Sequence, residues 1–198
     1  MLIFPLTPSP DMAGEECSHA SRSGVFSLAD TSKILASLDD SRWRRAEVGK
    51  DGEIDDNYRN AKIQWIQPAR LPWVFERLAQ VVNELNGRWF GFDLAGFYDP
   101  LQVSQYDSNS GVFDWHADRG TFVNGRPPRK LTVIVQLTDP SGYEGGNLEI
   151  RTGRDPQPLE RTIGTVHVIP SFVLHRVTTV TAGVRYSMVG WICGPRFR

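Results

Sequence analysis

A chain of 198 residues, 40% hydrophobic and 23% charged, with a formal net charge of −1, is sized and composed for one globular domain with a sizeable core. The near-neutral balance gives no broad attraction to nucleic acid or to an anionic membrane. Two cysteines, Cys17 and Cys193, do not make a disulfide framework and place the chain, by default, in a reducing cytoplasm.

No apolar run is long enough to span a membrane. The opening stretch is apolar for a few residues, then broken by prolines and acids, and lacks a basic leader, so it is a poor signal peptide. Residues 1–24 are expected to form a flexible N-terminal tail and residues 25–198 a single domain, with helical support over about 25–90 and a β core over about 94–193. In SLADTSKILASL, Ser27 is placed to cap a helix with Ile34, Leu35 and Leu38 on one face. A charged stretch then leads into a short strand expected at 61–66. LPWVFERLAQVVNELNGRWF predicts a stronger helix. Pro72 suits its first turn, Val74, Leu78, Val81, Val82 and Leu85 form an apolar stripe, and Gly87 is the expected stop.

From residue 94 the rhythm changes to short β-rich runs: LQVSQYD, FDWHAD, KLTVIVQLT, GNLEIRT, TVHVIP, HRVTTVT and VRYSMVGWI. Gly, Pro, Asn and Asp punctuate them. The pattern predicts a mainly β fold with N-terminal helices laid on one sheet face, its core a β-sandwich or a jelly roll (double-stranded β-helix).

Within FDWHADRG, His116 and Asp118 stand two apart, a spacing that puts both on one face of a strand. Together they can bind a metal, although an H-x-D pair is common by chance and a lone strand histidine is more often a hydrogen-bonded core residue. A third ligand has to come from His19, His167 or His175. His175 follows a Pro-Ser turn at the start of a late strand, and a jelly roll lays late strands beside early ones. Two imidazoles and one carboxylate suit non-haem Fe(II) and leave positions open for exogenous ligands.

Ten residues on, Arg185 shares a strand face with Ser187, Val189 and Trp191. Turned inward, its guanidinium needs a partner, and a small-molecule carboxylate gripped by the fork, with a hydroxyl beside it, would answer that need. Turned outward, it is simply solvated. Gln102, Ser104 and Tyr106 share another face, as do Thr132, Ile134 and Gln136. A buried Gln136 needs a partner of its own. Trp65, Trp115, Phe122 and Trp191 line either a substrate mouth or the core.

LQVSQYD, WHAD, RKLTVIVQLTDPSGYEGGNLEI, IPSFVLHRV and GVRYSMVGWI, in this order and spacing, make residues 94–193 resemble the Fe(II)/2-oxoglutarate-dependent oxygenases, and among them the prolyl 4-hydroxylase-like branch. The resemblance implies iron at His116, Asp118 and His175. It implies Arg185 at the distal carboxylate of 2-oxoglutarate, with Tyr106 and Ser187 assisting, and Gln136 at the cosubstrate's near end. The implied cofactors are Fe(II), 2-oxoglutarate and O2, with ascorbate as an optional reductant. The implied reaction hydroxylates an unactivated C–H of a prolyl, amino-acid, peptide or protein substrate and releases succinate and CO2. No nucleic acid and no membrane are expected as partners, and the oligomeric state stays open. The carboxylate at Asp118 speaks against a halogenase.

Three other readings remain. A nucleic-acid demethylase on the same scaffold would carry a second arginine where Trp191 stands. A non-catalytic cupin-like module would use the pocket only to bind a ligand. A structural zinc site built from two histidines and one aspartate would be unusual. The loop RGTFVNGRPPRK, residues 119–130, leaves the second ligand and returns to the next strand. It is expected to cover the site, with Arg126 and Arg129 facing an acidic or carbonyl-rich substrate, or else solvent.

Overall fold

The computed structural model describes residues 17–48, 53–109, 111–119 and 127–196. Its helices are α1 (Leu28–Ala36) and α2 (Pro72–Leu85). Its strands are β1 (Ala20–Arg22), β2 (Arg44–Arg45), β3 (Arg59–Asn60), β4 (Lys62–Ile66), β5 (Gly96–Phe97), β6 (Leu101–Asp107) and β7 (Val112–His116). They continue with β8 (Arg129–Gln136), β9 (Tyr143–Gly145), β10 (Leu148–Arg151), β11 (Gln157–Pro158), β12 (Val166–Pro170), β13 (Leu174–Val177) and β14 (Val180–Cys193). The larger sheet runs β1-β12-β8-β14-β6-β4-β2, with β5 and β9 also paired to β14, and the smaller runs β11-β10-β13-β7-β3. This is the double-stranded β-helix expected of the sequence, mainly β with the helices on one side.

Alternation along the strands builds two cores. In RKLTVIVQ of β8, Leu131, Val133 and Val135 join Val103, Met188 and Val166 against the helices. Ile134 faces the other way and packs with Tyr106, Ile150, Ile169 and Val177 between the two sheets. The site lies on that inner face.

The helices form as the sequence directs. Ser27 Oγ accepts from the Asp30 N–H while Asp30 accepts from the Ser27 N–H, a reciprocal cap. Arg77 of α2 donates to the same Asp30 at 2.8 Å and ties the helices together. Val74, Leu78, Val81, Val82 and Leu85 are all buried, each contributing roughly 1.5–3 kcal/mol.

Four local expectations are corrected. The stop of α2 is not Gly87. The chain continues through a π-turn, Asn86–Phe90, and closes at Gly91, whose φ is 63°. The Asn86 side chain bridges the N–H and C=O of Phe92 and keeps the chain wound past Gly87. Ala20–Arg22, expected within the tail, are strand β1, paired with β12 from Ala20↔Val168 to Arg22↔Val166, while residues 1–16 of that expectation lie outside the described residues. HRVTTVT is not one strand, since β13 ends at Val177 and Val180 already belongs to β14. Finally, β7 ends at His116, so Asp118 lies beyond the strand whose alternation was expected to place it.

Candidate active site

The cavity between the sheets holds about 230 Å³ and is lined by His116, Asp118, His175, Arg185, Tyr106 and Ser187 among others. Six of the seven residues singled out from the sequence thus meet in one place, and the seventh, Gln136, touches Arg185 from behind.

At one end stand His116, Asp118 and His175, whose ligand atoms all lie within 4.8 Å of one another. His116 and His175 are cross-strand partners on β7 and β13. A bulge sits beside them, so Phe113 pairs with Val177 although Phe113 and His116 are three residues apart. Phe113 and His116 therefore both face the cavity, and their rings stack at 3.5 Å. Each histidine contacts a backbone carbonyl through Nδ1, His116 to Asp114 O at 2.7 Å and His175 to Val173 O at 3.0 Å. A carbonyl only accepts, so both Nδ1 atoms carry the proton and both Nε2 atoms turn to Asp118. The separations are 3.9 Å from His116 Nε2 to Asp118 Oδ1 and 3.4 Å from His175 Nε2 to Oδ2. The second carboxylate oxygen also accepts from Thr132 at 2.9 Å.

Burial pushes His116 down to about 4, helped by the neighbouring His175, so this imidazole is neutral at pH 7. Burial opposes charge on His175 as well, but the Asp118 carboxylate beside it outweighs this and raises it. Burial would raise Asp118, yet the charge and hydrogen bond of His175, and then the charge of His116, hold it well below the usual carboxylate range. A neutral imidazole, an anionic carboxylate and a second imidazole on three sides of one point form a donor set that a divalent ion fits.

At the other end Arg185 is 1% exposed. It donates to Ser187 Oγ at 3.3 Å and to Gln136 Oε1 at 3.0 Å, while its Nε is buried with no partner. Its guanidinium carbon lies 5.5 Å from the Tyr106 ring centroid. No carboxylate pairs with it among the described residues. Gln136, expected at the near end of the cosubstrate, is engaged by Arg185 and so stands at the guanidinium end. The Gly145–Gly146 turn, with φ of 68° and 58°, gives Arg185 its room. A Cβ on Gly146 would come within 3.1 Å of the Arg185 Cδ and 2.8 Å of Val180.

The aromatic candidates divide. Trp65 and Trp191 line the cavity, whereas the Trp115 ring carries Arg151 and Arg176, at 4.5 and 4.7 Å. Phe122 and Arg126, with most of the expected covering loop, lie outside the described residues. Arg129 is not a solvated loop residue. It opens β8, pairs with Asp99 at 3.2 Å and stacks on Trp191 at 3.8 Å. The other candidate third ligands, His19 and His167, face each other at 3.2 Å away from the triad. Arg59 and Phe113 also line the cavity. Neither was signalled by the sequence, since Phe113 turns inward only because of the bulge.

A jelly roll that encloses a His-Asp-His cluster opposite an unpaired buried arginine defines a class of metal-dependent oxygenase architecture. Residues 101–193 match the family model of the 2OG-Fe(II) oxygenase superfamily. A PKHD-type hydroxylase from Synechococcus sp. (strain CC9311) is 34% identical over 175 residues, covering 85% of this chain and 74% of the relative. A prolyl hydroxylase in complex with a hypoxia inducible factor oxygen degradation domain peptide fragment, from Trichoplax adhaerens, has the same fold with a TM-score of 0.75. It is 15% identical, covering 89% of this chain and 84% of that one. A Pseudomonas putida prolyl-4-hydroxylase gives a TM-score of 0.69 at 19% identity, covering 91% of this chain and 94% of its own. The chain belongs to the 2OG-Fe(II) oxygenase superfamily, and its fold is that of the prolyl hydroxylases just named. It is a hydroxylase that uses Fe(II), 2-oxoglutarate and O2. Among the described residues no helix is long and apolar enough to cross a membrane.

Proposed function

We propose that His116, Asp118 and His175 hold the iron and that Arg185 grips the distal carboxylate of 2-oxoglutarate. The observation that carries the reading is the buried, unpaired guanidinium of Arg185 in the same cavity as the triad. Left alone, such a charge is costly. A cosubstrate carboxylate supplies the missing counter-charge and completes the polar set of Ser187 and Gln136. Tyr106 closes one side of this end with its ring. Iron and 2-oxoglutarate, when bound, supply the oxidative decarboxylation that drives hydroxylation. The chain's own groups orient the two ends of the cosubstrate and, through the Nδ1 contacts to Asp114 O and Val173 O, aim both imidazole Nε2 atoms at the place the metal would take.

A peptide or protein residue, prolyl by likeness to the neighbours, is the proposed substrate. A relative of the same fold carries a peptide. The cavity is small, so with the cosubstrate inside there is room for one side chain while the rest of the substrate stays outside. Succinate release measured against a panel of peptides, proteins and free amino acids tests this. Turnover on a proline-containing peptide is expected, and stimulation by free amino acids alone would overturn it.

A further inference from the structure

The Asp118 carboxylate is approached from the strand pair behind it. Thr132 on β8 and Trp191 on β14 are direct cross-strand partners. Thr132 donates to Asp118 at 2.9 Å. Trp191 lines the cavity together with Asp118, and its buried indole nitrogen has no hydrogen-bond partner among the described residues. Nor can the ring turn to water. Trp191 is 6% exposed, Arg129 covers its face at 3.8 Å, and Trp65 flanks it at 6.1 Å. Arg129 is itself pinned by Asp99. A buried donor left unmet costs about 1–3 kcal/mol, and native folds keep one mainly where a functional state satisfies it.

We propose that Trp191 and Thr132 are positioning residues for Asp118. Their N–H and O–H, set opposite each other in one ladder, turn the carboxylate so that its remaining lone pairs face His116 and His175, and the Arg129 stack keeps the indole aimed. Groups that hydrogen-bond a metal ligand in this way typically change metal affinity by 10–100-fold. Because Trp65 and Arg129 also line the cavity, a substrate pressing on them acts on Asp118 through a single side chain. The inference rests on the reading of Asp118 as a metal ligand.

The test is calorimetric Mn(II) affinity, read beside the melting temperature of the metal-free protein. The proteins are wild type, Trp191→Phe, Thr132→Val, Thr132→Ser and Arg129→Met. Trp191→Phe and Thr132→Val are each expected to weaken Mn(II) binding about tenfold, and Thr132→Ser to keep wild-type affinity. Arg129→Met, which frees the indole without altering it, is expected to weaken binding several-fold. The metal-free melting temperature of Trp191→Phe should not fall, because an unmet donor is removed. A merely structural tryptophan would give the reverse: a lower melting temperature and unchanged Mn(II) affinity. That result overturns the proposal, as does Thr132→Val binding Mn(II) like wild type, which decides the matter even if Trp191→Phe fails to fold. Wild type that binds no Mn(II) at all removes the metal reading itself, a different failure from variants that bind as wild type does.

Discussion

The two ends of the cavity are built on opposite principles. At the metal end the charges answer one another. Asp118 sits between two imidazoles and takes a hydroxyl hydrogen bond, and His175 rises to meet its charge. At the arginine end a full positive charge is buried with only neutral oxygens around it, among the described residues, and one nitrogen unmet. The first end answers its charges with its own side chains. The second is strained until an anion arrives. Removing a ligand should therefore cripple function at either end, but only at the arginine end should it also relieve the empty protein.

The largest effects fall on the triad. His116→Ala and His175→Ala should each abolish succinate release and Mn(II) binding while circular dichroism stays native. Wild-type turnover in either variant would remove that residue from the ligand set. Next comes Arg185→Met. It should weaken 2-oxoglutarate binding by one to two decades, as expected for losing a charge-assisted contact worth roughly 1.5–3 kcal/mol. It should also raise the melting temperature of the metal-free protein, since an apolar isostere of a buried unpaired charge is often stabilising. A lower melting temperature would break the contrast between the two ends.

Gly146→Ala sharpens the same contrast locally. The new Cβ meets Val180 and the Arg185 stem, and the backbone is left-handed there. Off-conformation and overpacking costs of about 1–3 kcal/mol follow. The cosubstrate affinity should fall while Mn(II) affinity holds, and equal losses of both would show that the ends are not independent.

Much of this was legible in the sequence because strand alternation is strict. Arg185, Ser187, Val189 and Trp191 do share the inner face, and the α2 stripe is buried residue for residue. What escaped was set by breaks in that alternation. The bulge brings Phe113 inward beside His116. Asp118 lies past the end of β7 and takes a hydrogen bond from Thr132 of the other sheet. A three-residue strand such as β1 is too short to show a period. The place of Gln136 depends on the reach of a long guanidinium, which spacing does not encode.

The smallest effect at neutral pH lies outside the cavity, at the His19–His167 pair that fastens β1 to β12. His167 donates to the Glu160 carbonyl at 2.8 Å and is pushed down to about 4, chiefly by burial, with His19 lowered by burial too. A histidine whose pKa is depressed by folding favours the unfolded chain once protons bind. Its contribution is complete above about 6.5 and is lost as pH falls towards about 4, amounting to roughly 3 kcal/mol for His167. Melting temperatures from pH 7.5 to 4.5 should therefore fall more steeply in wild type than in His167→Gln. Parallel curves would contradict the assignment.

One cavity is thus proposed to take a metal at one end and the cosubstrate's far carboxylate at the other. The most direct measurement is a paired calorimetric titration, Mn(II) first and 2-oxoglutarate second, on wild type and Arg185→Met. Equal Mn(II) affinity is expected in the two proteins, with 2-oxoglutarate binding about one to two decades weaker in the variant. Unchanged 2-oxoglutarate binding by Arg185→Met would contradict the proposal.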